Sequence, residues 1–489
     1  MDKPFAFNRL VAVSHRGPLV ITSGEDDSDF SFNRSVSGLV SVVNPVIEST
    51  GGVWIAWCGR KKEDPGIEET RHLPTETPGC YLKEITVSSR EHRHFYLGFA
   101  NRCMWPICHS FIERSVINHQ HWEQYRLVNS RYARAAAEEC GEGDLVWVHD
   151  FQLSLVPQMI RDTLREQKQG VQSRQGVKIS FFWHVPFPPL EVFSVLPWSR
   201  EILEGVLGAD SIAFHSPRYV ENFLRCVEYL LGEEAVQVDR AREAVFREGR
   251  KIPVRARPVE IESAYFEELA SRPEVRQRAA SIREDTAGRF LALGADRLDY
   301  TKGIVERLRG VELFLEENPE YRERFTFLQI AVPSRTENRD YRELRRLVEE
   351  TVGRINGRFG TLRHVPVLYR FVSLDLNELV AHYLAADLAL VTPLRDGLNL
   401  VAKELVASRV DNSGVLMLSP FAGVSEQLQG AVMVNPYSTR DVAEKIRYSL
   451  EMPVEEKDER MRRLRETVRR DDLGRWWRRL LEDMQETCE

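Results

Sequence analysis

The segment TPLRDGLNLVAKE, Thr392 to Glu404, follows the apolar run LALVT and holds an unusual density of groups able to bind a ligand. Asp396 is followed by Gly397, which lets the backbone approach a bound molecule. Asn399 suits the cap of a helix, leaving the N–H groups of Leu400 and Val401 to face an anion with help from the helix dipole. Glu404 lies one turn further in, where a carboxylate can accept hydrogen bonds from a vicinal diol such as ribose. Every β/α protein has capped turns, but the run R-D-G-x-N-L-V-x-K-E is too particular to be only that. The segment GADRLDYTKG follows another strand-like run, FLALGA, and puts Arg297 and Lys302 at its mouth, placed to stabilise a leaving diphosphate. Alone, these cations would serve equally well in surface ion pairs. Arg335, just past a third strand in PSRTEN, makes them a convergent anion pocket.

The N-terminal half offers Arg16 in SHRGP, Gly38 in SGLVS, Tyr96 and Trp105 in FYLGFANRCMWP, Asp150 in WVHDFQL and His184 in WHVPFPP. Arg16, Asp150 and His184 each stand at the carboxyl end of a strand pattern, so a parallel sheet would gather them on one rim. No pair of carboxylates stands out as the nucleophile and acid of a retaining hydrolase. Asp27-Ser28-Asp29 fits the D-x-D pattern of metal-dependent transferases. It sits in an acidic stretch, Gly24 to Phe30, with no flanking apolar strand, and reads as a solvated loop.

The elements that position these residues alternate regularly. LVAVS, LVWVH, ISFFWHV and SIAFH are apolar on both faces, as strands of a sheet covered by helices must be. Helical patterns such as VPQMIRDTLREQ and YVENFLRCVEYLL lie between them. The rhythm restarts after Pro258 with FLALGA, FTFLQIA, PVLYR, LALVT, VLMLS and AVMVN. Two β/α series predict an α/β protein of two doubly wound, Rossmann-like domains, over residues 1–257 and 258–470. The boundary falls between Arg255 and Ser263. A terminal helix over 471–489 is expected to pack back on the first domain, with Trp476 and Trp477 docking it. In RMRRLRETVRR the basic residues follow Glu456, Asp458 and Glu459 at four-residue spacing, which is ion pairing on a solvated helix face.

A chain of 489 residues is too long for one ordinary core. Its net charge of −7 opposes nucleic acid as a partner, no apolar run reaches the length of a membrane span, and the start lacks a signal-peptide core. Seven scattered cysteines without C-x-x-C spacing read as reduced thiols of a cytoplasmic protein. A homo-oligomer is compatible with all of this.

Over nearly its whole length the chain resembles glycosyltransferase family 20. The motifs H-D-F-Q-L, H-V-P-F-P, D-R-L-D-Y-T-K-G, P-S-R, G-R-I-N-G-R-F-G and T-P-L-R-D-G-L-N-L-V-A-K-E occur in the family's order. The resemblance implies a GT-B fold, two Rossmann-like domains facing across a cleft, with no metal and no cofactor. It implies UDP-glucose or another nucleotide-glucose as donor and co-substrate, glucose 6-phosphate as acceptor, and trehalose 6-phosphate as product. By matching motif, Arg297 and Lys302 would hold the diphosphate, assisted by the N–H groups of Leu400 and Val401 in the loop of Gly397 and Asn399, with Glu404 on the ribose. His184 and Asp396 would contact the transferred glucose. Arg16, Tyr96 and Arg335 would bind the acceptor phosphate and Asp150 the acceptor sugar. Trp105 would line the acceptor pocket, and Gly38 would let its loop approach the ligands. Retention in this family is attributed to a front-face route in which the leaving phosphate oxygen takes the acceptor proton.

The chain departs from the family in Ser14-His15-Arg16 for S-N-R, Ser37-Gly38-Leu39 for G-G-L, and Pro258-Val259-Glu260-Ile261-Glu262 for P-I-G-I-D. These departures concern the acceptor side. Related enzymes that glucosylate glycerol 3-phosphate also carry a histidine before the first arginine, so that acceptor is the alternative. A non-catalytic sugar-phosphate sensor is a second alternative, opposed by the intact Arg297, Lys302, Asp396 and Glu404. A fused phosphatase is not expected, so a separate protein would remove the product phosphate.

Overall fold

Runs of β-branched and aromatic residues, apolar on both faces, become buried parallel strands in a computed structural model that describes residues 7–23, 30–34, 38–61, 70–75, 79–167, 176–335 and 338–485. Asp27, Ser28, Asp29 and Ser37 lie outside the described residues. The chain divides into two compact units, residues 1–259 with 477–489, and residues 260–476.

Unit 1 contains β1 (Leu10–Arg16), β2 (Leu19–Ser23), β3 (Phe30–Arg34), β4 (Gly52–Trp57), β5 (Thr70–Pro74), β6 (Cys80–Ile85), β7 (Leu145–His149), β8 (Lys178–Phe182), β9 (Ser211–Phe214), β10 (Gln237–Asp239), β11 (Ala244–Arg247) and β12 (Arg250–Ala256). Its sheet runs β10-β11-β12-β9-β8-β7-β1-β4-β6-β5, with β2 and β3 forming a separate hairpin. The strands from β12 to β6 are parallel. The edges are antiparallel, a meander of β10 to β12 on one side and β5 on the other. The strand order reverses between β1 and β7, and the carboxyl ends there carry Arg16 and Asp150.

Unit 2 contains β13 (Phe290–Arg297), β14 (Phe325–Val332), β15 (Val367–Phe371), β16 (Leu388–Val391), β17 (Val415–Leu418) and β18 (Val432–Met433), ordered β15-β14-β13-β16-β17-β18 and parallel throughout. Counted within the unit this is 3-2-1-4-5-6, the dinucleotide-fold order, whose ligand crevice opens at the reversal. That point lies between β13 and β16, where the two richest motifs emerge. Phe314, Phe325, Phe327, Leu390, Met417 and Ile446 sit in its core.

The charged helix Val454–Arg470 pairs Arg460 with Glu456 at 2.8 Å and Arg463 with Glu459 at 2.5 Å, the i,i+4 spacing of the sequence. Arg462 reaches Glu459 and Glu466 and not Asp458, because Glu459 lies one turn before both arginines and binds the two. Among the described residues no helix is long and apolar enough to cross a membrane. Among the described residues, Cys58, Cys80, Cys103, Cys108, Cys140 and Cys226 are buried.

In the last helix, Leu473–Gln485, the chain passes from unit 2 into unit 1. Trp477 lies edge-on to Trp147 of β7 with ring centroids 4.7 Å apart, and Asp483 accepts from Arg257 at 2.6 Å. Removing a buried aromatic typically costs about 3–5 kcal/mol. Trp477→Ala is therefore expected to lower the midpoint of urea unfolding markedly, and an unchanged midpoint would show that this helix does not stabilise unit 1.

Candidate active site

In unit 2 the site starts from a buried cation. Arg307 has no exposed surface and donates to Asp296 at 2.6 Å, Gln329 at 2.8 Å and Thr392 at 2.8 Å, and to the carbonyl of Lys302 at 3.3 Å. It thereby ties β13, the middle of β14 and the end of β16 to the turn that carries Lys302. Gly303 closes that turn at φ +65°, where any Cβ would lie 2.5 Å from the carbonyl oxygen of Thr392. Lys302 Nζ donates to Asp396 Oδ2 at 2.5 Å, and Asn399 Nδ2 donates to the same oxygen at 3.0 Å. Asn399 also caps the helix Leu400–Ser408, its Oδ1 accepting from the N–H of Ala402 at 3.1 Å. Leu400 and Val401 form the first turn above this cap, so their N–H groups point out of the helix end. The loop through Gly397 is pinned by main-chain bonds from Asp396 to Phe421 and from Val424 to Leu398.

Glu404 keeps some surface but is enclosed by protein on most sides, and this desolvation pushes its carboxyl up to about 7. The hydroxyl of Tyr383, donating at 3.3 Å, opposes the shift. Glu260 belongs to this unit as well. Its carboxylate is buried and meets Lys403 Nζ at 2.5 Å and Gln427 Nε2 at 2.8 Å. The acidic departure in the sequence thus meets a lysine, the neighbour of Glu404 in the chain.

Arg297 and Arg335 converge on Asp299, which has no exposed side-chain surface, at 3.9 and 3.6 Å. Arg335, Arg297 and Lys302 overcome burial and hold this carboxyl at about 2, so it is ionised. Asp299 and Tyr341, whose hydroxyl donates to it at 3.1 Å, were not singled out from the sequence.

In unit 1, Arg16 lies over the rings of Trp57 at 4.7 Å and Tyr96 at 5.3 Å. Trp57 is a further residue that the motifs did not bring forward. His15 packs beneath, between Trp57, Phe95 and Tyr96. Burial, with Arg16 and His92 nearby, drives its pKa far down, and neither ring nitrogen meets a partner among the described residues. Asp150 follows β7 at φ +72°, and its Oδ1 accepts from the main-chain N–H of His184 at 3.1 Å. The His184 ring stacks on Phe182 at 4.4 Å and shares a 3.0 Å hydrogen bond with His149, and burial lowers it to about 3, so it is neutral. Trp105 is 6% exposed and packs on His109 at 4.1 Å. Gly38 is the first described residue of the helix Gly38–Thr50.

The model of glycosyltransferase family 20 matches residues 8–486. The chain belongs to glycosyltransferase family 20. It is 39% identical over 483 residues to a trehalose-6-phosphate synthase of Mycobacterium sp. (strain KMS), covering 98% of this chain and 95% of that one. It superposes with TM-score 0.86 and 31% identity on a UDP-forming α,α-trehalose-phosphate synthase from Burkholderia xenovorans in complex with glucose-6-phosphate, covering 98% and 100% of the two chains. The same score at 28% identity relates it to an E. coli structure bound with UDP-2-fluoro glucose, covering 98% and 99%. The two parallel-sheet units are thus those of a GT-B glycosyltransferase.

In this family member the helix end after Asn399, with Lys302 and Arg297 nearby, can neutralise a diphosphate, and Glu404 stands one turn away. A Glu404 carboxyl that titrates near 7 is directly observable by carbon NMR of glutamate-labelled protein. Tyr383→Phe removes the bond that favours the carboxylate, so the titration should move to higher pH. Titration in the ordinary carboxylate range would contradict the burial described here.

Proposed function

We propose that this glycosyltransferase transfers glucose from UDP-glucose to glucose 6-phosphate with retention, releasing UDP and α,α-trehalose 6-phosphate. The observation that carries the reading is the cluster of Arg297, Lys302 and a capped helix end at the strand-order reversal of unit 2, with Glu404 one turn in. The names of the relatives support the same substrates. The bond from glucose C1 to the diphosphate oxygen breaks while C1 bonds to the acceptor hydroxyl oxygen on the same face. The acceptor proton passes to the leaving phosphate oxygen. No protein carboxylate is needed as a nucleophile, and the chain contributes chiefly electrostatics, aimed at charge that develops on the diphosphate.

Arg297, Lys302 and the N–H groups of Leu400 and Val401 take that charge, and Glu404 accepts from the ribose hydroxyls. Asp396, fixed by Lys302 and Asn399, and the neutral His184 hold the transferred glucose. Asp150 accepts from the acceptor sugar, while Arg16, Tyr96 and Arg335 bind the acceptor phosphate and Trp105 lines its pocket. No cofactor or metal is assigned a part. The setting proposed is cytoplasmic, with a separate phosphatase acting on the product.

Two measurements test the reading. Arg297→Ala and Lys302→Ala should each lower kcat about a hundred- to thousandfold, or roughly 3–4 kcal/mol, with an unchanged circular dichroism spectrum. Unchanged turnover in both would remove these cations from the diphosphate site. With EDTA present throughout, kcat/KM for glucose 6-phosphate should clearly exceed that for glycerol 3-phosphate and for free glucose. Preference for glycerol 3-phosphate, which His15 makes the second reading, would overturn the trehalose assignment and leave glucosyl transfer standing. Loss of activity restored by magnesium would overturn the metal-free chemistry.

A further inference from the structure

Arg297 and Arg335 leave adjacent parallel strands, since Arg297 pairs in register with Val332 of β14, three residues before Arg335. Two guanidinium groups delivered so close together repel unless an anion lies between them. The anion is Asp299. Its Oδ1 is committed to the turn, accepting from the N–H of Thr301 at 3.1 Å and from its hydroxyl at 3.0 Å. Its Oδ2 faces both arginines and takes the hydroxyl of Tyr341. That hydroxyl in turn accepts a hydrogen bond from Arg335 Nη1, so phenol and carboxylate form one continuous support under Arg335. Arg297 also reaches Ser334 Oγ at 3.4 Å, the neighbour of Arg335 in the chain.

The backbone at Arg335 is held at φ +48°, in the left-handed region that a residue with a Cβ rarely adopts. Such a conformation persists only where the surroundings over-determine it. The Arg335 side chain is 9% exposed against 43% for Arg297, so Arg335 is clamped and Arg297 is the more open of the two.

We propose that Asp299 is a positioning residue whose single buried carboxylate holds Arg297 and Arg335 together, so that the grip on the donor diphosphate and the grip on the acceptor phosphate share one anchor. Tyr341 extends the anchor towards Arg335 alone. This rests on the ligand roles given above to the two arginines. A carboxylate that merely sat nearby would have the opposite effect on anion binding, because deleting its charge would raise the local positive potential. Positioning and bystander roles therefore differ in sign.

The test is calorimetric titration of UDP, and of glucose 6-phosphate at saturating UDP, into wild type, Asp299→Asn and Tyr341→Phe, with melting temperatures alongside. Asparagine keeps an oxygen for the Thr301 turn but removes the charge. Asp299→Asn should weaken both ligands at least about tenfold, the range typical of groups that orient binding side chains, while melting within a few degrees of wild type. Tyr341→Phe should weaken glucose 6-phosphate about fivefold or more and shift UDP less than about twofold, because Arg335 is the arginine that the Tyr341 hydroxyl bonds directly. Equal or tighter binding of either ligand to Asp299→Asn would overturn the proposal. So would a Tyr341→Phe enzyme that binds both ligands as wild type does, and this second variant decides the matter if the first does not fold. Wild-type protein that binds neither UDP nor glucose 6-phosphate would be recognised separately, as failure of the proposed function and of the inference resting on it.

Discussion

A guanidinium with no exposed surface sits against β13, β14 and the end of β16, and separate segments of unit 2 are arranged to satisfy it. A buried charge is tolerated only when its donors are taken up, and Arg307 has five in a fixed plane. Asp296, Gln329, Thr392 and the carbonyl of Lys302 take up four of them from separate segments of the chain. Gly294 is fitted to the same constraint, since a Cβ there would come within 2.5 Å of Arg307 and 2.6 Å of Gln329. Lys302, the Gly303 turn and the Thr392 loop are thereby fixed relative to one another. This is the preorganisation that electrostatic catalysis requires.

The charges around this anchor occur as matched sets. Lys302 lies on Asp396, Lys403 on Glu260, and Arg297 with Arg335 on Asp299. Each pairing keeps a cation in place at the cost of desolvating the carboxylate. Unit 1 solves a related problem without charge. His15, His149 and His184 are held neutral by burial among aromatic rings, so they present dipoles and apolar faces on the rim that carries Arg16 and Asp150.

The strands and most of the proposed site residues were legible in the sequence because both follow local rules. A strand apolar on both faces is recognisable within a few residues, and a ligand-binding group in a parallel sheet stands just beyond such a strand. The Asn399 cap was readable on the same grounds. Residues that act through a distant partner were not. Tyr341 comes from a helix 42 residues away from Asp299, and nothing in its own neighbourhood marks it. Glu260 was visible as a departure, but its partner Lys403 is 143 residues further on. The strands β10 and β11 were not legible, because QVD and AVFR are short and stand among charged residues.

The division of the chain has a consequence for how the protein is made. Unit 2 is inserted within unit 1, whose last part, from Trp477 onward, lies beyond it in sequence. A ribosome releases the first 259 residues and must then synthesise about 200 more, at about 5–20 residues per second, before that part exists. For about 10–40 s Trp147 of β7 is without its neighbour Trp477. Unit 2, continuous in sequence, is free to finish first. The last segment of unit 1 is thus made only after the whole of unit 2.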